Sequence, residues 1–146
     1  MAAINVKRVV LGGLLAGFLY NVGGITIAML IDLESAFAQF EWEPSVGVAF
    51  LHLGLRFGLG FASVFLYAAL RSHLGAGPRT AFVVAIVVWL IGYVPITVLM
   101  AELSILTVRQ AALSLGWGLI EASVATISGA WAYREKEGST AKAQAV

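Results

Sequence analysis

The sequence predicts an all-α protein, an integral membrane four-helix bundle with up-down-up-down topology and both termini in the cytoplasm. Composition is the first observation, because 60% of the 146 residues are hydrophobic and only 12% are charged, whereas about a quarter of a soluble domain is charged. The second observation is four apolar runs that each reach the roughly 20 helical residues needed to cross a bilayer. The third is the distribution of basic residues between the runs. One membrane domain over residues 1–146 is expected.

The first span is predicted at residues 9–31 and carries a stripe of small and polar residues. Gly13, Gly17 and Asn21 recur every four residues, so they share one face of a helix. A cleaved signal peptide is the alternative, since a basic pair precedes the run and Ala-Phe-Ala at 36–38 imitates a cleavage site. The run is about twice too long for the apolar region of a signal peptide, so an uncleaved span is expected.

An acidic link follows the first span and separates it from the second. Its carboxylates could ligate Ca²⁺ or Mg²⁺, but a solvated acidic face is the favoured interpretation. They are Asp32, Glu34, Glu41 and Glu43. Leu33, Phe37 and Phe40 fall at helical spacing, which predicts a short interfacial helix, with Phe40 and Trp42 at the level of the lipid headgroups.

The remaining spans are predicted at residues 46–70, 80–101 and 111–132, with a short polar cytoplasmic tail at 133–146. Pro95 is expected to kink the outer end of the third span, because proline lacks the N–H that a helix needs. Small residues predict close helix packing in the second and fourth spans. These are Gly54, Gly58, Gly118, Ala122 and Gly129.

The basic residues indicate the orientation of the bundle. Lys and Arg in short loops mark the cytoplasmic side of a membrane. Seven of the nine basic residues are predicted on one side, whereas the links on the opposite side are acidic. The seven are Lys7, Arg8, Arg71, Arg79, Arg134, Lys136 and Lys142.

Two ionisable residues lie inside predicted spans, where a charge costs several kcal/mol unless it is paired. Arg56 and Glu121 are each about 10 residues from the outer end of their span, or roughly 15 Å deep. We expect them to form an ion pair. Asn21 and Tyr93 have similar depths, and His52 precedes Arg56 by one turn. These five residues form the predicted polar cluster, which either fixes helix register or lines an outward-facing cavity for a small ligand or ion.

Other site chemistry has little support in the sequence. There is no cysteine, and the net charge is only +1, which excludes thiolate metal sites and argues against a nucleic-acid partner. His52 and His73 are too far apart along one span to share a metal or haem. No nucleophile motif accompanies the serines of the spans. No cofactor, metal or catalytic residue is therefore predicted.

The opening segment KRVVLGGLLAGFLYNVGG, with Lys7, Arg8, Gly12, Gly13 and Asn21, resembles the first span of small bacterial inner-membrane proteins that have no assigned function. The resemblance implies a bacterial inner membrane and carries no activity. The favoured function is a non-catalytic accessory or structural subunit of a homo-oligomer or larger membrane complex. A ligand-binding or transport protein built on His52, Arg56 and Glu121 is the alternative, and a membrane enzyme that acts on a lipid-soluble substrate is the third.

Overall fold

A computed structural model describes residues 4–38 and 45–133. Within these ranges the chain is helical and contains four helices that are long and apolar enough to cross a membrane, so the predicted membrane bundle is confirmed. The chain is a small multi-pass membrane protein. Its elements are α1 (Val6–Leu30), α2 (Leu33–Ala38), α3 (Val46–Leu74), α4 (Pro78–Val88), a π-helical turn (Trp89–Tyr93), α5 (Val94–Glu102) and α6 (Val108–Ala132).

The helices are longer than the apolar runs, because capping residues set their ends. Asn5 caps α1 by accepting a hydrogen bond from Arg8 N at 3.3 Å, so the helix starts before the apolar run. Thr107 and Gln110 form a reciprocal capping box at the start of α6, which satisfies N–H groups that have no partner inside a helix. α3 continues to Leu74 and stops where Gly75 adopts a φ of 87°, a conformation that favours glycine.

The third span is one rod of three segments, α4, the π-helical turn and α5. In the π-helical turn Val94 N–H bonds to Trp89 O, five residues earlier. Pro95 follows immediately, and it has no N–H and would clash with the carbonyl four residues before it. The widened turn accommodates this. The irregularity therefore lies just before the proline, near the middle of the span.

The two ends of the bundle differ in character. We call the end with Asn5, the Gly75–Gly77 turn and Tyr133 the terminal end, and the end with residues 31–38 and 103–107 the acidic end. The predicted helix in the acidic link is present as α2, which ends at Ala38. The expectations for Phe40, Glu41, Trp42 and Glu43, and for the tail beyond Tyr133, fall outside the described residues.

Consecutive spans run antiparallel, and α1 contacts two of the other three spans. α1 lies against α3 and α6, and α6 also packs along the third span. Close approach depends on glycine: a Cβ on Gly12 would lie 2.5 Å from Gly129 O, and one on Gly60 would overlap the backbone of Gly17. Such close contacts are important in a bilayer, because lipid provides no hydrophobic force between helices and their association depends on close packing.

α3 and the third span meet only at the terminal end. Both helices are fully described, and no Cα atom of α3 lies within 8 Å of one in the π-helical turn or α5, whereas α3 and α4 are in contact. Packed helices have axes 8–10 Å apart, so the two spans diverge toward the acidic end. Residues 45–55, the first part of α3 and its cap, are all exposed in the bundle.

Candidate functional site: a buried ion pair at the divergence of two spans

Arg56 of α3 and Glu121 of α6 form an ion pair inside the bundle. Arg56 Nη1 lies 2.6 Å from Glu121 Oε1 and also donates to the backbone carbonyl of Tyr20 on α1. The Glu121 side chain is only 2% exposed, and the Arg56 side chain is 17% exposed. Three helices thus meet at one guanidinium, whose charge is compensated where lipid offers no hydration.

Two adjacent glycines of α1 make room for these charges. A Cβ on Gly23 would lie 2.6 Å from Glu121 Cγ, and a Cβ on Gly24 would overlap the Arg56 guanidinium. Trp117, one turn from Glu121, donates its Nε1–H to Gly23 O at 3.0 Å. α1 therefore provides a flat backbone surface on which the ion pair lies.

His52 extends the polar group toward the acidic end. Arg56 Nε donates to His52 Nε2 at 3.0 Å, one helical turn away on α3. His52 itself is exposed. The arginine thus connects a buried carboxylate to an imidazole at the open side of α3.

Asn21 and Tyr93, which the sequence analysis predicts at the same depth as the ion pair, have different partners. Asn21 Nδ2 donates to Gly17 O of its own helix at 2.8 Å, so its amide does not bond to the ion pair. The Tyr93 ring fills the space over Gly118, where a Cβ would lie 2.5 Å from the ring. The buried Tyr93 hydroxyl lies beside the Glu121 carboxylate, to which it can donate.

The structure adds polar contacts that the sequence analysis did not identify. Tyr20 is fully buried and its hydroxyl bonds Thr126 Oγ1 of α6 at 3.2 Å. Trp89 donates to Leu115 O at 2.9 Å. Tyr20 precedes Asn21 and lies on the same face of α1 as Gly13 and Gly17. This position on the small-residue stripe was the one feature of the sequence that could have predicted its burial. Tyrosine in a membrane helix more often indicates the headgroup region.

The predicted packing residues fall on two sides of the helices. Gly13, Gly17, Gly118, Ala122 and Gly129 are buried. Gly54 and Gly58 are exposed, and a Cβ at either position would meet nothing within 4 Å. The second group therefore faces away from the bundle.

Residues 4–38 and 45–133 contain no group of three or more His, Cys, Asp or Glu side chains that could hold a metal ion. No family model matches the chain, and no curated protein or solved structure is significantly similar to it. A function must therefore be inferred from the site and the surfaces themselves.

Proposed function

We propose that this protein is a non-catalytic membrane subunit that assembles with further copies of itself through the outward face of α3. The observation that carries the proposal is the open space over Gly54 and Gly58. Ala62 continues their spacing of four residues and is also exposed. The three positions define a notch along α3, which we call the α3 notch.

The contrast with the other glycines of the bundle supports an external partner. On α1 and α6, the buried glycines are in contact with a neighbouring helix; Gly12 meets Gly129, and Gly118 meets Tyr93. A glycine in a helix costs up to about 1 kcal/mol relative to alanine, and Gly54 and Gly58, unlike the single open Gly116 of α6, form a pair on one face where a partner helix would offset that cost. Small residues four apart allow two membrane helices to approach closely.

The neighbouring side chains fit such a contact. Leu51, Leu55 and Phe65 lie on the same face as the α3 notch and are 62%, 64% and 54% exposed. Large side chains beside a notch give a surface that is complementary to itself, as a two-fold interface between identical helices requires. The face lies opposite the ion pair, because Gly58 is two residues from Arg56 and successive residues rotate by about 100°.

Replacement of Gly58 by Leu tests the proposal. The bulky side chain fills the α3 notch while leaving the inner face of α3 unchanged, so the oligomer is expected to dissociate at least about tenfold more readily. The measurement is the monomer fraction against protein-to-lipid ratio, by energy transfer between labelled copies in vesicles.

Gly116→Leu is the matched control. Gly116 is an exposed glycine of α6 with nothing within 4 Å of a Cβ, so the same substitution there is expected to leave the oligomer unchanged. A monomeric wild-type protein, or equal effects of the two substitutions, would contradict self-assembly through α3.

We also infer that the membrane is a bacterial inner membrane and that both termini face the cytoplasm. The basic residues of the terminal end, including Lys7, Arg71 and Arg79, support this orientation, because basic loops resist translocation.

A further inference from the structure

We propose that His52 is a proton sensor near the acidic end of the bundle, which holds Arg56 in the ion pair when neutral and releases it when protonated. The proposal goes beyond self-assembly through the α3 notch and does not depend on it. It rests on the direction of one hydrogen bond and on the position of His52 in the exposed first part of α3.

The hydrogen bond between Arg56 and His52 requires a neutral imidazole. Arg56 Nε is the donor and His52 Nε2 is the acceptor, 3.0 Å apart. A guanidinium has only donors, and a protonated imidazole also has only donors. His52 must therefore carry its single proton on Nδ1. A second proton, on Nε2, breaks the bond and places two positive charges side by side.

Protons can reach His52 from the acidic end. His52 is exposed, as are all residues from 45 to 55, and it is the seventh residue of α3, about 9 Å from the start of the helix. α3 has 29 residues and is roughly 43 Å long, whereas the hydrocarbon core of a bilayer is about 30 Å thick. His52 therefore lies near the boundary of the core, where water is close.

Arg56 is the charged group that acts directly on His52 among the described residues. α3 packs against α1, α4 and α6. From α6, Glu121 faces the same place through its pair with Arg56, and the hydroxyl of Tyr93 lies beside it. The other charged or histidine side chains of these four helices are near helix ends; they are Lys7, Arg8, Arg71, His73, Arg79 and Arg109.

The protonation state of His52 affects how α3 is attached to the bundle. Counted from the acidic end, Arg56 is the first residue of α3 that is not exposed, and it is held by Glu121 Oε1 and by the backbone carbonyl of Tyr20. Protonated His52 repels the guanidinium and leaves its Nε donor without the acceptor. Acid at this end therefore weakens the attachment of α3 to α1 and α6.

Nuclear magnetic resonance of the histidine and arginine nitrogens tests the hydrogen bond in the full-length protein in micelles. The chain has two histidines, so His73, which is exposed near the other end of α3, is an internal reference. In its neutral form His52 is expected to carry the proton on Nδ1. Between about pH 8 and about pH 5 the Arg56 Nε–H signal should shift with the midpoint of His52 and not with that of His73. A neutral His52 protonated on Nε2, or an Arg56 signal that does not follow His52, would overturn the proposal.

Replacement of His52 by Gln separates proton binding from the hydrogen bond. The carbonyl oxygen of a Gln side chain can accept from Arg56 Nε and does not titrate. From about pH 8 to about pH 5, the unfolding equilibrium constant of the wild type should rise about tenfold more than that of His52→Gln, the equivalent of one lost hydrogen bond to a charged group. The measurement is reversible unfolding in mixed detergent micelles.

His73→Gln is the matched control, because it removes the other histidine and should keep the pH response of the wild type. The carboxylates, which also protonate in acid, are the same in all three proteins, so their contribution cancels in the comparison. Equal pH responses of the wild type and His52→Gln would contradict a sensing role for His52. Gly58→Leu should respond to pH like the wild type, so failure of the oligomer and failure of the sensor are distinguishable.

Discussion

Arg56 and Glu121 carry opposite charges in a part of the bundle where water is replaced by lipid and protein. Their contact at 2.6 Å does not by itself mean that the pair stabilises the fold, because desolvation of both groups offsets much of their attraction. Loss of one partner is destabilising, because it leaves the other charge uncompensated inside the bundle. The pair therefore makes the fold sensitive to single substitutions at either position.

Glu121→Gln is expected to lower the free energy of unfolding by about 3 kcal/mol or more, because Arg56 would remain charged and lose its counter-ion. The measurement is reversible unfolding in mixed detergent micelles. Glu102→Gln, a change of an exposed carboxylate at the acidic end, should have little effect.

The double variant Arg56→Gln/Glu121→Gln separates pairing from burial. It should be more stable than the sum of the two single effects predicts by roughly 1 kcal/mol or more, because both charges are removed together. Additive effects would mean that the two side chains do not interact.

At the residue scale, the sequence is informative where a residue is unusual for its environment. Arg56 and Glu121 stand out because charges are rare in membrane spans, and counting residues from the span ends placed them at one depth. The roles of Gly23, Gly24 and Tyr20 could not be predicted, since they depend on the rotation of α1. An error of one residue in a helix register turns a side chain by about 100°.

Among the elements, α1 and α6 approach each other closely through their glycines. A Cβ on Gly129 would lie 2.9 Å from Gly12 O and 2.5 Å from Val64 Cγ2, so three helices meet at this point. Backbone atoms cannot rotate away as a side chain can. The distance between α1 and α6 at this point is therefore short because Gly12 and Gly129 have no side chains to hold the two backbones apart.

Gly129→Ala is expected to cost about 1–3 kcal/mol, the usual range for overpacking a tight interior. The same unfolding measurement applies. Gly116→Ala places the same methyl group on the open side of α6 and should be neutral or slightly stabilising, because alanine favours the helix. Equal losses from the two substitutions would contradict a close α1–α6 contact.

The four spans could be predicted because the mean hydropathy of a segment depends only on which residues it contains, and not on how the helices pack. The π-helical turn could not, since proline predicts an irregularity but not whether the helix bends or widens. The glycines of α3 illustrate a similar limit. Their spacing shows that Gly54 and Gly58 share a face, but only the positions of the neighbouring helices show that this face points outward.

At the scale of the whole molecule, charge is distributed unevenly between the two ends. Lys7, Arg71 and Arg79 lie at the terminal end, and Asp32, Glu34 and Glu102 lie at the acidic end. The asymmetry predicts the orientation stated above.

Cysteine labelling can test the orientation without background, because the chain has no native cysteine. Ser35→Cys on α2 and Ala76→Cys in the turn before α4 are exposed positions at opposite ends. In intact bacterial cells, a membrane-impermeant maleimide should label Ser35→Cys and not Ala76→Cys. Both should react after the membrane is opened, and the reverse pattern in intact cells would place the termini outside.

Gly23 and Gly24 also restrict how this sequence can change. The space that a side chain would occupy is filled by a charged group of another helix, Glu121 at Gly23 and Arg56 at Gly24. A larger residue at either glycine would push the facing charged side chain away from its ion-pair partner. Loss of either charged residue would leave the other charge unpaired inside the bundle. A single substitution at any of these four positions is therefore expected to destabilise the bundle unless a second substitution at the facing position accompanies it.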